Sequence, residues 1–226
     1  MQFRLLYRGR LPAESRSETR ARDKHRIRRE IHRQLLELWK AHPFLRNFLQ
    51  PTVKSWRMKH VNSPTIPTMA EIFEPASHGP SPVSTLSDRF EYQGFKFVPL
   101  IGETFGIDTA CALDILFLRP DEPGRLIGSG GDIDNRIKVL LDALKMPTPG
   151  DGFKPEAEPD ETEEPFFCLL QDDSLITELR VTTDRLLTPI GDDEKLTDVH
   201  LVIGVKTVLL RGSSIPDGGA SAAFVT

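Results

Sequence analysis

Residues 130 to 147 read GGDIDNRIKVLLDALKMP, and this stretch carries the residue types that could do chemistry. Asp132 and Asp134 stand one residue apart, Asn135 follows at once, and Lys138 lies one helical turn beyond the second carboxylate. Asp and Asn are preferred helix N-caps, because a side-chain oxygen accepts from an otherwise unpaired N–H, and negative charge suits the positive end of the helix dipole. A capped core helix with Ile137, Leu140, Leu141 and Leu144 on its apolar face therefore explains part of the pattern. One cap is enough, however, and two carboxylates crowded into one turn repel unless a cation lies between them. Lys138 can reach the place that both aspartates face. A second acidic pair, Asp172 and Asp173, immediately precedes the strand-like LITELRVTT, where a further carboxylate could join the first two. Three converging carboxylates beside a lysine suit magnesium and phosphate chemistry: hard oxygen ligands for the cation, and positive charge where negative charge develops.

Other residues have narrower claims. In a strand Asp172 and Asp173 point to opposite faces, so only one of them is expected to face a metal. Asp142, four residues past Lys138, is expected to hold that lysine by an i,i+4 pair. Asp114 lies in an apolar strand as an outward residue, and the six histidines show no ligand spacing. Arg22, Arg26, Arg29 and Arg33 recur at helical spacing and are the candidates for DNA backbone contacts, against the alternative of a solvated helix face.

The elements that must position these residues follow from periodicity. QFRLLYR is expected to be a first strand. A helix is expected from about Ser17 to Ala41, with Ile27, Ile31, Leu35 and Leu38 facing the core and His42–Pro43 ending it. Residues 43 to 92 hold seven of the eighteen prolines and no sustained period, which predicts a long irregular excursion with a short helix around Met69–Phe73. Residues 94–101 and 110–119 read as strands, the second central in a sheet. After the motif helix, the acidic TPGDGFKPEAEPDETEEP is expected to be a flexible insertion that does not pack. Strands are then expected at 175–183 and 198–208, with Val199, Leu201, Ile203 and Val205 on one face, and the tail 211–226 is expected to be disordered. The order predicts an α+β domain over residues 1–210, a mixed sheet carrying two main helices, with irregular insertions at about 43–92 and 148–166.

Composition narrows the partners. Of 226 residues, 38% are hydrophobic and 27% charged, as in a water-soluble domain, and no apolar run is long enough to span a bilayer. Cys111 and Cys168 are isolated, which excludes a zinc knuckle and predicts reduced core cysteines in a cytoplasmic protein. The first 60 residues hold 16 Lys/Arg against 5 Asp/Glu, and the remainder 13 against 28. A basic first quarter joined to an acidic remainder points to an anionic partner, nucleic acid being the commonest.

Two blocks of residues resemble a known family, the RusA-type Holliday-junction resolvases. The first is D-x-D-N-x-x-K-x-x-x-D-A-L, here Asp132, Asp134, Asn135, Lys138, Asp142, Ala143 and Leu144. The second is D-D-x-x-[VI]-x-[DE]-x-R-V, here Asp172, Asp173, Ile176, Glu178, Arg180 and Val181. The resemblance covers roughly residues 109–208 and implies a RusA-like fold and a homodimeric endodeoxyribonuclease that nicks branched DNA. It implies Mg2+ (with Mn2+ as a substitute) held by Asp132, Asp134 and Asp173, with Lys138 as the catalytic lysine. Two other readings stand beside it. One is a DNA-binding protein of the same fold without turnover. The other is a metal-dependent D-x-D glycosyltransferase, which predicts no lysine one turn along and a larger nucleotide-binding domain ahead of the motif.

Overall fold

A computed structural model of the chain describes residues 1–12, 17–59, 68–120, 133–151, 153, 155, 158–187 and 198–212. In chain order the elements are β1 (Gln2–Arg10), α1 (Ser17–Ala41), a 3-10 turn (Leu45–Leu49), β2 (Val53–Met58), α2 (Met69–Ile72), β3 (Phe73–His78), α3 (Pro82–Ser87), β4 (Glu91–Tyr92) and β5 (Phe95–Ile101). They continue with β6 (Glu103–Thr104), β7 (Ile107–Arg119), α4 (Ile133–Leu144), β8 (Phe166–Leu170), β9 (Ile176–Arg185) and β10 (Asp198–Gly212). The class is α+β, as the alternation of periods requires.

The main sheet runs β1–β10–β7, antiparallel throughout, and β9 extends it parallel to β7. The nearly unbroken apolar run of β7 has the central place that such a run needs, between β10 and β9. On β10 the residues Val199, Leu201, Ile203 and Val205 are all buried, while Asp114 on β7 points outward and is exposed. Both cysteines are free and buried, and burial pushes each thiol up to about 12.

Three expectations change. The strand at 95–101 does not join the main sheet. It pairs in parallel with β8, from Phe97 opposite Phe166 to Ile101 opposite Leu170, and with β4 makes a second, three-stranded sheet. β8 went unread because FFCLL is five residues with no alternation, buried on every side. Both main helices pack against β8 of this second sheet. α1 packs against β1, β8 and α4 together, and a helix covered on several sides buries a broad arc. Ile27, Ile31 and Leu35 are in the core as expected, but Trp39 takes the fourth position and Leu38 is half-buried.

The excursion after α1 is also more ordered than its composition suggests. It holds the antiparallel hairpin β2–β3, with the short helix at 69–72 leading into its second strand. Pro75 within β3 and two register shifts hide that hairpin from a period-based reading. Finally, the acidic insertion packs. Phe153 is 1% exposed and Glu163 4%; Phe153 joins Phe95, Phe97, Phe166 and Cys168 in a second, aromatic core. Among the described residues no helix is long and apolar enough to cross a membrane. β10 continues to Gly212, and the rest of the tail lies outside the described residues.

Candidate functional site

Helix α4 forms because its sequence repeats apolar residues at helical spacing: Ile137, Val139, Leu140, Ala143 and Leu144 are buried. The same geometry decides which polar residues stay outside. Asp134 and Lys138, four apart, share one face of the first two turns, and both are exposed. One Asp134 oxygen accepts from the N–H of Asn135 at 2.7 Å. Asp132 lies outside the described residues, immediately before the helix, at the position where a cap would stand.

The other charges on this helix have structural employment. Arg136 is buried and donates to the Leu11 carbonyl at 2.7 Å, tying the helix to the end of β1. Asp142 does not serve Lys138. Its carboxylate meets the Lys24 ammonium of α1 at 2.6 Å, so the expected i,i+4 partner is replaced by one across the α1–α4 interface. Arg28 of α1, also buried, donates to the carbonyls of Asp142 at 2.7 Å and Lys145 at 3.2 Å. These are end-of-helix carbonyls with no intrahelical partner, so Arg28 caps the C-terminus of α4.

Asp172 and Asp173 are not in a strand. They open a 3-10 turn (Asp173–Leu175) ahead of β9, with Asp172 as its N-cap, accepting from Ser174 N at 3.0 Å. Hydrogen bonds from Ser174, helped by the charge on Lys145, hold the Asp172 carboxyl below the usual range. Asp173 faces Lys145, 3.7 Å away, and Lys145 also lies 3.8 Å from Asp151. Lys145 follows the last residue of α4, whereas Asp134 is in its first turn. At 1.5 Å per residue the backbone positions of the two are about 16 Å apart along the axis. The structure thus brings Asp134 and Lys138 together and places Asp173 with Lys145 at the opposite end of the helix. Among the described residues no three His, Cys, Asp or Glu side chains gather closely enough to hold a metal ion. The Lys145–Asp151–Asp173 cluster was not anticipated; Lys145 follows Asp142 at i+3, but its partners come from turns that no local spacing predicts.

The arginine stripe on α1 is divided. Arg29 is ion-paired with Glu163: Nη2 donates to Oε2 at 2.9 Å, and Nε lies 2.6 Å from Oε1. Arg26 donates to the Arg10 carbonyl at 2.9 Å and lies 3.6 Å from Asp23. Arg33 pairs with Glu30 on the exposed surface at 3.0 Å, and Arg22 is exposed. The same helix buries two histidines. His32 accepts from Phe167 N at 2.8 Å through Nδ1, so the proton is on Nε2, which donates to the Thr162 carbonyl at 2.9 Å. His25 is enclosed by Phe95, Phe153 and Phe166. Burial, with the charges of Arg29 and Arg28 adding to it, pulls its pKa down to about 4. The insertion thus meets α1 through two contacts, Glu163 with Arg29 and the Thr162 carbonyl with His32.

No family model, curated protein or solved structure was found to match the chain.

Proposed function

We propose that the chain is a metal-dependent endonuclease of RusA type, which nicks branched DNA such as four-way junctions as a symmetric dimer. One observation supports the reading above the others. On α4 and just after it the charges of Arg136, Asp142 and Lys145 are each used in holding the fold, whereas Asp134 and Lys138 have no ion pair among the described residues and face solvent one turn apart. A carboxylate and an ammonium that stability does not require, at the positive end of a helix dipole, suit a site for phosphate and a hard cation. The donor chemistry fits Mg2+: Asp134 has an oxygen not used by Asn135 N, and Asp132 would be the second carboxylate of the pair.

When bound, Mg2+ lowers the pKa of an attacking water and stabilises the leaving oxygen. Asp132 and Asp134 would hold it, and Lys138 would offset charge on the phosphate undergoing displacement. Nicks on two opposed strands of a four-way junction call for two such sites related by a two-fold axis, hence the dimer.

A second reading, a DNA-binding protein of this fold without turnover, is favoured by the placement of Asp173. Its carboxylate is engaged by Lys145 at the far end of α4, which leaves the described part of the site with a single acid. Incubating the protein with a synthetic four-way junction beside linear duplex, in Mg2+ and in EDTA, separates the two. Metal-dependent nicking that Asp134→Asn abolishes supports the nuclease; tight junction binding without nicking supports the second reading.

A further inference from the structure

The β2–β3 arm stands apart from both cores. Among the described residues its strands pair only with each other, and all six residues of β2 are exposed. Gly79 N donates to the Thr52 carbonyl at 2.7 Å, and Thr52 Oγ1 to that of Pro80 at 3.0 Å, closing the base of the arm. A lone two-stranded ribbon is marginally stable in water, and its side chains should be polar unless something covers them. Two are not: Trp56 is 60% exposed and Met58 72%, with Met69 of α2 beside them 70% exposed. Trp56 opposes Pro75 and Met58 opposes Phe73, so the four side chains share one face of the ribbon. Trp56, Phe73 and Pro75, with Met69, Lys59 and Glu74, line a groove of about 710 Å³.

Charge narrows the choice of occupant. From residue 53 to residue 78 the chain has Lys54, Arg57 and Lys59 against Glu71 and Glu74. Glu74 is committed to Arg57 across the ladder, with Lys59 at 3.8 Å. Lys54 has no ion pair among the described residues and lies two positions from Trp56 on the same strand. Lys59 lines the groove with Trp56, so a base lying on the indole would have a cation beside its flanking phosphate. Aromatic plates beside cations are what unpaired nucleic acid binds, because every base has a π-face and every linkage a negative charge.

We infer that the β2–β3 arm is a base-stacking site for single-stranded or branch-point nucleic acid, with Trp56 as the plate and Lys59 on the adjoining phosphate. This rests on the nucleic-acid reading above and adds to it the feature that would favour a branch over continuous duplex: bases free to leave the stack.

The two tryptophans make the test direct. Trp39 is 1% exposed and packed on Phe167, whereas Trp56 faces solvent, so quenching of emission by a stacked base reports on Trp56. The full chain is titrated in EDTA with oligo-dT, a synthetic four-way junction, blunt linear duplex, and vesicles of phosphatidylcholine and phosphatidylserine. Expected is quenching by oligo-dT and by the junction, weaker with duplex and absent with vesicles. Trp56→Ala should bind oligo-dT and junction about tenfold more weakly, and Trp56→Phe should recover most of the affinity. Unchanged melting temperatures for both variants would show that the core is untouched. Junction binding and nicking at wild-type levels in Trp56→Ala would overturn the arm as a binding site while leaving the nuclease reading in place. Absence of binding to any nucleic acid by the wild-type protein would overturn both, and quenching by vesicles alone would assign the arm to a membrane surface.

Discussion

Helix α1 and the start of α4 are the two charged regions that invite a functional reading, and they use their charge in opposite ways. α1 is the more basic, yet Lys24, Arg28 and Arg29 end on Asp142, on the carbonyls at the end of α4, and on Glu163. The first turns of α4 carry fewer charges, but Asp134 and Lys138 meet no charged partner among the described residues. What separates them is whether a charge has been desolvated. A buried cation must be paired, since an uncompensated one costs several kcal/mol, so burial of the α1 face and the acidic insertion belong to one device. An exposed charge pair needs no such partner and is left available for a ligand.

The widest test of this contrast is at α4. Asp134→Asn keeps the size and capping ability of the side chain but removes its charge, and an N-cap role alone predicts little change. Nicking of a four-way junction is expected to fall about a thousandfold, roughly 4 kcal/mol of transition-state stabilisation, with binding kept or tightened. Lys138→Ala should lose nicking while keeping the Mg2+ affinity that Asp134→Asn loses, as isothermal titration would show. Wild-type nicking by Asp134→Asn would reduce the motif to a helix cap.

On α1 the expected effects fall on stability. Glu163→Ala strands Arg29, whose side chain is one third exposed, and should cost about 3 kcal/mol in urea unfolding, the lower end for a broken buried pair. Deleting residues 151–164 should be still more damaging, because it also removes Phe153 from the aromatic core. A deletion that unfolds at the wild-type midpoint would show the insertion to be dispensable.

The buried histidines add a pH signature. His25 has a pKa of about 4 in the fold against 6.5 when exposed, so the unfolded chain binds more protons between those values. Stability is therefore full above about pH 6.5 and is lost as pH falls toward 4, by on the order of 3 kcal/mol. The pKa of His32 is lowered in the same direction by burial. His25→Phe should flatten the slope in chemical unfolding measured across this range; an unaltered slope would place the proton uptake elsewhere.

The smallest effect is predicted at the surface. Arg33→Ala breaks an exposed i,i+3 pair with Glu30 and should change stability by less than about 0.5 kcal/mol. If it weakens DNA binding and flattens the salt dependence by about one unit of slope, Arg33 is a phosphate contact despite the partners its neighbours have found.

Much of this architecture is local and was legible in the residues. Apolar spacing places α1 at Ser17–Ala41, the alternation of β10 and the continuous run of β7 identify two strands of the main sheet, and the spacing of Asp134 and Lys138 puts them on one helical face. These follow from periods of 3.6 and 2, which a chain carries in itself. Partnership across distance is not encoded that way. That β5 leaves the main sheet for β8, that Asp142 chooses Lys24 over Lys138, and that Asp173 meets Lys145 at the far end of α4 were settled by packing. So was the acidic insertion: its composition reads as solvated chain, and only the buried arginines and histidines of α1, more than a hundred residues earlier, make it part of the core. A charged segment is polar by sequence, but whether it is surface depends on whether the fold supplies the opposite charge and excludes the water.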